Sequence, residues 1–146
     1  MRNKHIIFGL IILIVAIGCR KNNDAVATTE PVAGKGGKSK LIITAKHYEK
    51  QLDSCTFYLK YNTLTEPKNG LYDDSANVKN VSGRFQATFD SLRQGKYFIR
   101  AIGRDLTLYP PNDSMWGSGN VTVVDTFVRT YDMYINAVNW YDHDNL

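Results

Sequence analysis

Beyond Leu41 the chain alternates hydrophobic and polar residues with a period of two, the mark of strands that bury one face. Leu41, Ile43 and Ala45 point one way, with Ile42, Thr44 and Lys46 opposite. Cys55, Phe57, Leu59 and Tyr61 share a face against Thr56, Tyr58 and Lys60. Phe85, Ala87 and Phe89 alternate with Arg84, Gln86 and Thr88, and Tyr97, Ile99 and Ala101 with Lys96, Phe98 and Arg100. Val121 and Val123 flank Thr122, and Tyr131, Met133 and Ile135 alternate with Thr130, Asp132 and Tyr134. These segments are rich in β-branched and aromatic residues, which suit a pleated, half-buried surface. Turn formers separate them: Pro67-Lys68-Asn69-Gly70, Ser82-Gly83, Gln94-Gly95, Pro110-Pro111-Asn112-Asp113 and Gly117-Ser118-Gly119. Such clusters break regular structure. No convincing helical stripe stands out. The expected fold is all-β, an antiparallel Greek-key sandwich of about seven strands over residues 41–146.

Two segments before Leu41 follow other rules. Met1 to His5 carry Arg2 and Lys4 and no acid, and Ile6 to Ile17 run without a charge. A basic start followed by a short apolar run is the pattern of a secretory signal. As a helix, Ile6 to Gly18 would span only about 20 Å, short of a hydrocarbon core of about 30 Å. Arg20 to Lys40 is rich in Asn, Thr, Ala, Gly and Lys and lacks aromatics. That composition buries too little apolar surface to fold. It reads as a flexible tether reaching on the order of 25 Å.

Composition and charge change the picture at one point. The 146 residues carry a formal charge of +4, but the positive charge is unevenly placed. Arg2 and Lys4 lie in the signal, and the tether holds five bases against two acids. Residues 41–146 hold eleven bases and twelve acids. The folded part therefore has no basic excess, and nucleic-acid binding loses its electrostatic footprint. A basic tether can instead lie against anionic headgroups, each Lys or Arg contributing about 1 kcal/mol.

The signal ends in Ala16-Ile17-Gly18-Cys19. This resembles the lipobox of bacterial lipoproteins, with a small residue beside the cut and a thiol at the membrane surface. The resemblance implies cleavage after Gly18 and acylation of Cys19. Residues 1–18 would be a signal peptide, residues 19–40 a lipidated cysteine and linker, and the location the outer membrane. Several acyl chains anchor firmly, at about 0.8 kcal/mol per buried CH₂. Cys55 is then the single remaining cysteine and reads as a small buried hydrophobe.

A second resemblance rests on Gly83-Arg84-Phe85 and on Leu92-Arg93-Gln94-Gly95-Lys96-Tyr97. The stretch Gly83 to Ala101 is similar to the core hairpin of transthyretin-like (prealbumin-like) domains, including carboxypeptidase regulatory-like and collagen-adhesin B-type modules. Gly95 would permit the tight turn, while Leu92 and Tyr97 would plug the sandwich end. The resemblance implies a non-catalytic spacer, accessory or binding module. Some collagen-adhesin modules join a first-strand Lys to a last-strand Asn, and Lys46 and Asn136 are the residues placed for it.

Chemistry-bearing groups are sparse. The chain beyond the signal has two histidines, His47 and His143, with no neighbouring triad. Ser118 lacks the nucleophile-elbow frame, because Trp116 stands at its first glycine position. Asp142-His143-Asp144 reads as a solvated C-terminus, and Asp73-Asp74 lacks calcium-loop spacing. No cofactor and no metal are expected. Asp-Ser pairs at 74–75, 90–91 and 113–114 resemble an O-glycosylation signal of some bacteria with two membranes, and are also ordinary turn residues. The candidate ligand-binding residues are aromatic: Tyr109 and Trp116 in a long loop from Leu106 to Asn120, and Trp140 and Tyr141 after the last strand. On a rigid scaffold they would stack on sugars or anchor a partner protein. Trp116 alternatively folds back to cover the core edge. The functional expectation is a membrane-anchored, non-catalytic binding or structural module of the cell envelope. A minor fimbrial or adhesin-type subunit and a carbohydrate-binding surface lipoprotein are the alternatives.

Overall fold

The computed structural model describes residues 30–110, 113–124 and 126–139. Within them the chain forms β1 (Lys35–His47), β2 (Lys50–Gln51), β3 (Ser54–Tyr61), β4 (Asp74–Asn77), β5 (Lys79–Val81), β6 (Arg84–Leu92), β7 (Gly95–Arg104), β8 (Ser114–Val123), β9 (Thr130–Asn136) and β10 (Val138–Asn139). No described residue is helical. The all-β expectation holds.

Two mainly antiparallel sheets face one another. The first places β1 between β6 and β9, with β5 outside β6 and the short β2 folded back on the end of β1. The second runs β10-β8-β7-β3-β4. One pairing departs from an antiparallel sandwich. β1 and β9 run parallel from Lys40↔Thr130 to Lys46↔Asn136.

The margins of the two sheets are stitched together. β4 pairs with β3 in one sheet, and the chain then steps across at Val78 so that β5 pairs with β6 in the other. The Val78 amide donates to Cys55 O at 2.9 Å at that step. On the opposite margin β9 pairs with β1, the chain crosses at Ala137, and β10 pairs with β8. The Ala137 amide donates to Lys46 O at 2.7 Å.

The alternating residues meet in one core. Leu41, Ile43, Phe57, Leu59, Phe89, Tyr97, Ile99 and Ile135 are fully or almost fully buried between the sheets. Cys55 is buried among them as a free thiol. The outer face of the first sheet is a polar ladder. There Arg84 Nε donates to Thr44 Oγ1 at 2.9 Å, Arg84 Nη1 donates to Asp132 Oδ2 at 2.6 Å, and Arg84 and Lys46 sit over the Tyr134 ring. Lys46 and Asn136 are register partners on this outward side, with the Lys46 ammonium 4.6 Å from the centre of that ring.

The Gly83–Ala101 stretch is not a hairpin. Its strands β6 and β7 lie in opposite sheets and pair with other strands. Period-two alternation allows either arrangement, because it fixes which face is buried and not which strand is the neighbour. The turn between them is an arch whose inner residues seal one end of the core. Leu92 and Tyr97 are buried there. Gly95 has φ +143°, and a Cβ on it would lie 2.6 Å from Ala33 Cβ. The Tyr97 hydroxyl donates to Arg93 O at 2.7 Å and accepts from the Gly34 amide at 3.0 Å. Ala33 is itself buried, and its amide donates to Asn62 Oδ1 at 2.7 Å.

Packed structure thus begins before Leu41, inside the stretch whose composition reads as tether. The start of β1 carries bulges, since Lys35 and Ser39 both pair with Leu92. Gly37 makes this close approach possible: a Cβ there would lie 1.9 Å from Leu92 O.

Candidate functional site

β7 runs from Gly95, beside Ala33, to Arg104, and its ten residues span roughly 30 Å. The chain from Glu30 therefore meets the fold at one end of the sandwich. The ends of β1 and β7 and the start of β8 lie at the other. This far end gathers the aromatic and charged groups that suggest a site.

A buried clasp holds the far end. β1 ends at His47, whose ring Nδ1 donates to Asp105 Oδ2 at 2.9 Å. Lys50, at the start of β2, donates to Asp105 Oδ1 at 3.0 Å. The Thr107 amide donates to the same oxygen at 3.0 Å and the Thr107 hydroxyl at 2.5 Å. Burial by itself would raise the Asp105 pKa. The donors from Thr107, His47 and Lys50 outweigh it and hold the carboxyl well below the usual carboxylate range. The clasp ties the β1–β2 hairpin of one sheet to the β7–β8 connection of the other. The same connection is closed at its base where the Asp105 amide donates to Asp113 O at 2.8 Å. Arg104 Nε donates to the buried Asp113 carboxylate at 2.5 Å.

Beside the clasp the outward face of the second sheet forms a shelf. Trp116 of β8 lies opposite Ile102 of β7. The Arg100 guanidinium stacks 4.5 Å from the centre of the Trp116 ring and pairs with Glu66 at 3.2 Å. Glu66 belongs to the long β3–β4 loop, which is fastened over the sheet where Asn120 Nδ2 donates to Leu64 O at 3.3 Å. The loop stops short of Ile102, which is left half-exposed. Trp116, Ile102, Arg100 and Arg104 line a shallow depression of about 400 Å³ with Ser114 and Met115. Such a surface offers an aromatic edge, an apolar floor and two guanidinium groups, the combination that holds a sugar ring or a carboxylate-bearing segment.

The expected site residues fall differently from their sequence grouping. Tyr109 is in a loop and 88% exposed. Trp116 is not in that loop. β8 already begins at Ser114, and Trp116 is the outward member of its alternation, half-buried under Arg100. The glycines at 117 and 119 suggested a turn, yet they sit on the inward side of β8, where the crossing strand passes close. Cys19, Trp140, Tyr141, His143 and the acids beside it lie outside the described residues. Asp73 accepts from Lys60 Nζ at 3.0 Å and from the Tyr61 amide at 2.7 Å. Among the described residues no three His, Cys, Asp or Glu side chains gather as metal ligands do. Sequence reasoning passed over Arg100, Ile102 and the His47–Asp105 pair. Arg100 and Ile102 were legible as outward positions of β7, whereas the pairing of His47 with Asp105, 58 residues away, left no local signal.

No protein family matches this chain, and comparison with curated proteins and with solved structures likewise returns no match.

Proposed function

We propose that this protein is an exported lipoprotein, acylated at Cys19, that serves as a non-catalytic binding module at the outer membrane. In this reading the domain is of the transthyretin-like kind. The observation that carries the reading is the polarity of the sandwich. The chain coming from Cys19 reaches the fold at the Ala33–Gly95 end, the Trp116–Arg100 shelf stands roughly 17–23 Å along β7 from that end, and the Tyr109 loop follows Arg104, roughly 30 Å away. A domain held on a surface by one end and exposing Tyr109, Ile102 and Arg104 away from it is suited to meeting ligands off that surface. The non-catalytic part rests on His47, which is 6% exposed and held by Asp105 inside the clasp, out of reach of a substrate. Polymerisation by strand addition needs an open edge. The margin strands β4, β5 and β10 are only two to four residues long, which favours a binding module over a fimbrial subunit.

The ligand class that fits the shelf best is an envelope glycan, laid against Ile102 and the edge of Trp116 and hydrogen-bonded by the half-exposed Arg104. Titration of the Cys19→Ala mature chain with purified envelope polysaccharides, followed by tryptophan fluorescence, tests it. A saturable change that Trp116→Ala removes is expected. No saturable change with any envelope glycan counts against the carbohydrate reading.

A further inference from the structure

The end of the sandwich opposite the shelf carries a second exposed surface. The β8–β9 connection presents Phe127 at 75% and Val128 at 84% exposure, with Val124 and Val32 also exposed. These residues share one end of the molecule. Gln94 Nε2 donates to Val124 O at 2.5 Å, and the Lys40 amide donates to Arg129 O at 2.8 Å. Thr126 lines a shallow groove with Val32, Lys38 and Arg93. Large apolar side chains at a loop tip, beside exposed bases, are the composition of a surface that enters a headgroup layer. The acids at this end are matched: Glu30 pairs with Lys96 at 2.6 Å and Asp90 with Lys40 at 3.4 Å. Asp125 is the one further acid in the connection by sequence.

We propose that this end, with Phe127 and Val128 at its tip and Lys38 and Arg93 beside them, docks on an anionic lipid surface. The inference rests on the lipoprotein reading for its choice of occupant. Only 12 residues separate Cys19 from Val32. Read as a tether, they reach roughly 20 Å. An acylated Cys19 therefore keeps this end, and not the shelf, within reach of the bilayer. Docking would orient the domain with the Trp116 shelf outward.

The test uses the whole mature chain with Cys19→Ala, so that no acyl chain contributes. It is mixed with vesicles of phosphatidylethanolamine and phosphatidylglycerol, or of phosphatidylcholine alone. Flotation is expected on the anionic vesicles. It should fall about tenfold on phosphatidylcholine and about tenfold for the Phe127→Glu, Val128→Glu double variant. Both side chains are exposed, so the variant should keep the wild-type melting temperature. Equal flotation of variant and wild type, or none on the anionic vesicles, overturns the proposal. So does concentration-dependent dimerisation that the variant abolishes, since the occupant would then be a second copy. The intact mass of the chain extracted from membranes reads lipidation separately. A chain without acyl mass defeats the lipoprotein reading whatever the vesicles show.

Discussion

Asp105 gathers the largest number of donors around one carboxylate in the described fold, and its effect on stability has a defined sign. Its folded pKa is depressed, so the group contributes stability that is present above the unfolded value of about 4 and is lost as pH falls below it. Asp105→Asn should cost about 2 kcal/mol at pH 7, because a buried, multiply bonded charge is replaced by a poorer acceptor. The difference from wild type should shrink steadily as urea unfolding is repeated from pH 4 downward. A difference that stays constant with pH would mean that the loss is one of packing only. Cys55 makes the opposite kind of statement. Burial pushes its thiol up to about 12, so almost no thiolate is present at neutral pH. Labelling of Cys55 by a thiol reagent should be negligible in the native protein and should rise with denaturant along the unfolding curve. Rapid native labelling would place the thiol at the surface.

At the scale of elements, the start of β1 and the β6–β7 arch stabilise each other. Gly37 lets the strand pass against Leu92 O, Gly95 lets the arch pass against Ala33, and the Tyr97 hydroxyl joins the two. Tyr97→Phe leaves the Arg93 carbonyl and the Gly34 amide without this partner, at about 1–3 kcal/mol. Gly37→Ala should cost at least as much, since its Cβ meets backbone and not a movable side chain. In both variants amide exchange should speed up at residues 33–40 before it does in β3 or β7. Uniform acceleration across the sandwich would show that the arch unfolds only with the whole. Lys35 to Lys40 looked like linker because glycine and lysine dominate it. The two glycines serve a strand that bulges against its neighbour, and composition cannot separate that use from flexibility.

Across the whole molecule, the two ends of the sandwich differ in what they expose, and at each margin the chain passes from one sheet into the other. Val78 and Ala137 are the crossing points, each held by a backbone hydrogen bond to the strand it leaves behind. Margin strands as short as β4, β5 and β10 limit edge-to-edge pairing between copies. The mature chain with Cys19→Ala should therefore sediment as a soluble, non-polymerising species, while the unaltered precursor expressed in a bacterium should fractionate with the outer membrane. Recovery of both in the same soluble fraction would remove the anchor from the account.

The sequence determined which residues face inward. Leu41, Ile43, Phe57, Leu59, Phe89, Ile99 and Ile135 were all legible from period two alone, because side chains of a strand alternate between faces whatever its neighbours are. The proposal of lipidation at Cys19 likewise rests only on the apolar run and small residue before it. Tertiary structure decided the rest. The parallel pairing of β1 with β9, the placement of β6 and β7 in opposite sheets, and the meeting of His47 with Asp105 all depend on backbone hydrogen bonds and on chain segments far apart in sequence. Main-chain donors and acceptors are the same at every residue except proline. A pattern of side chains can therefore say which face a strand buries, while the choice of its partner is made only when the whole core closes.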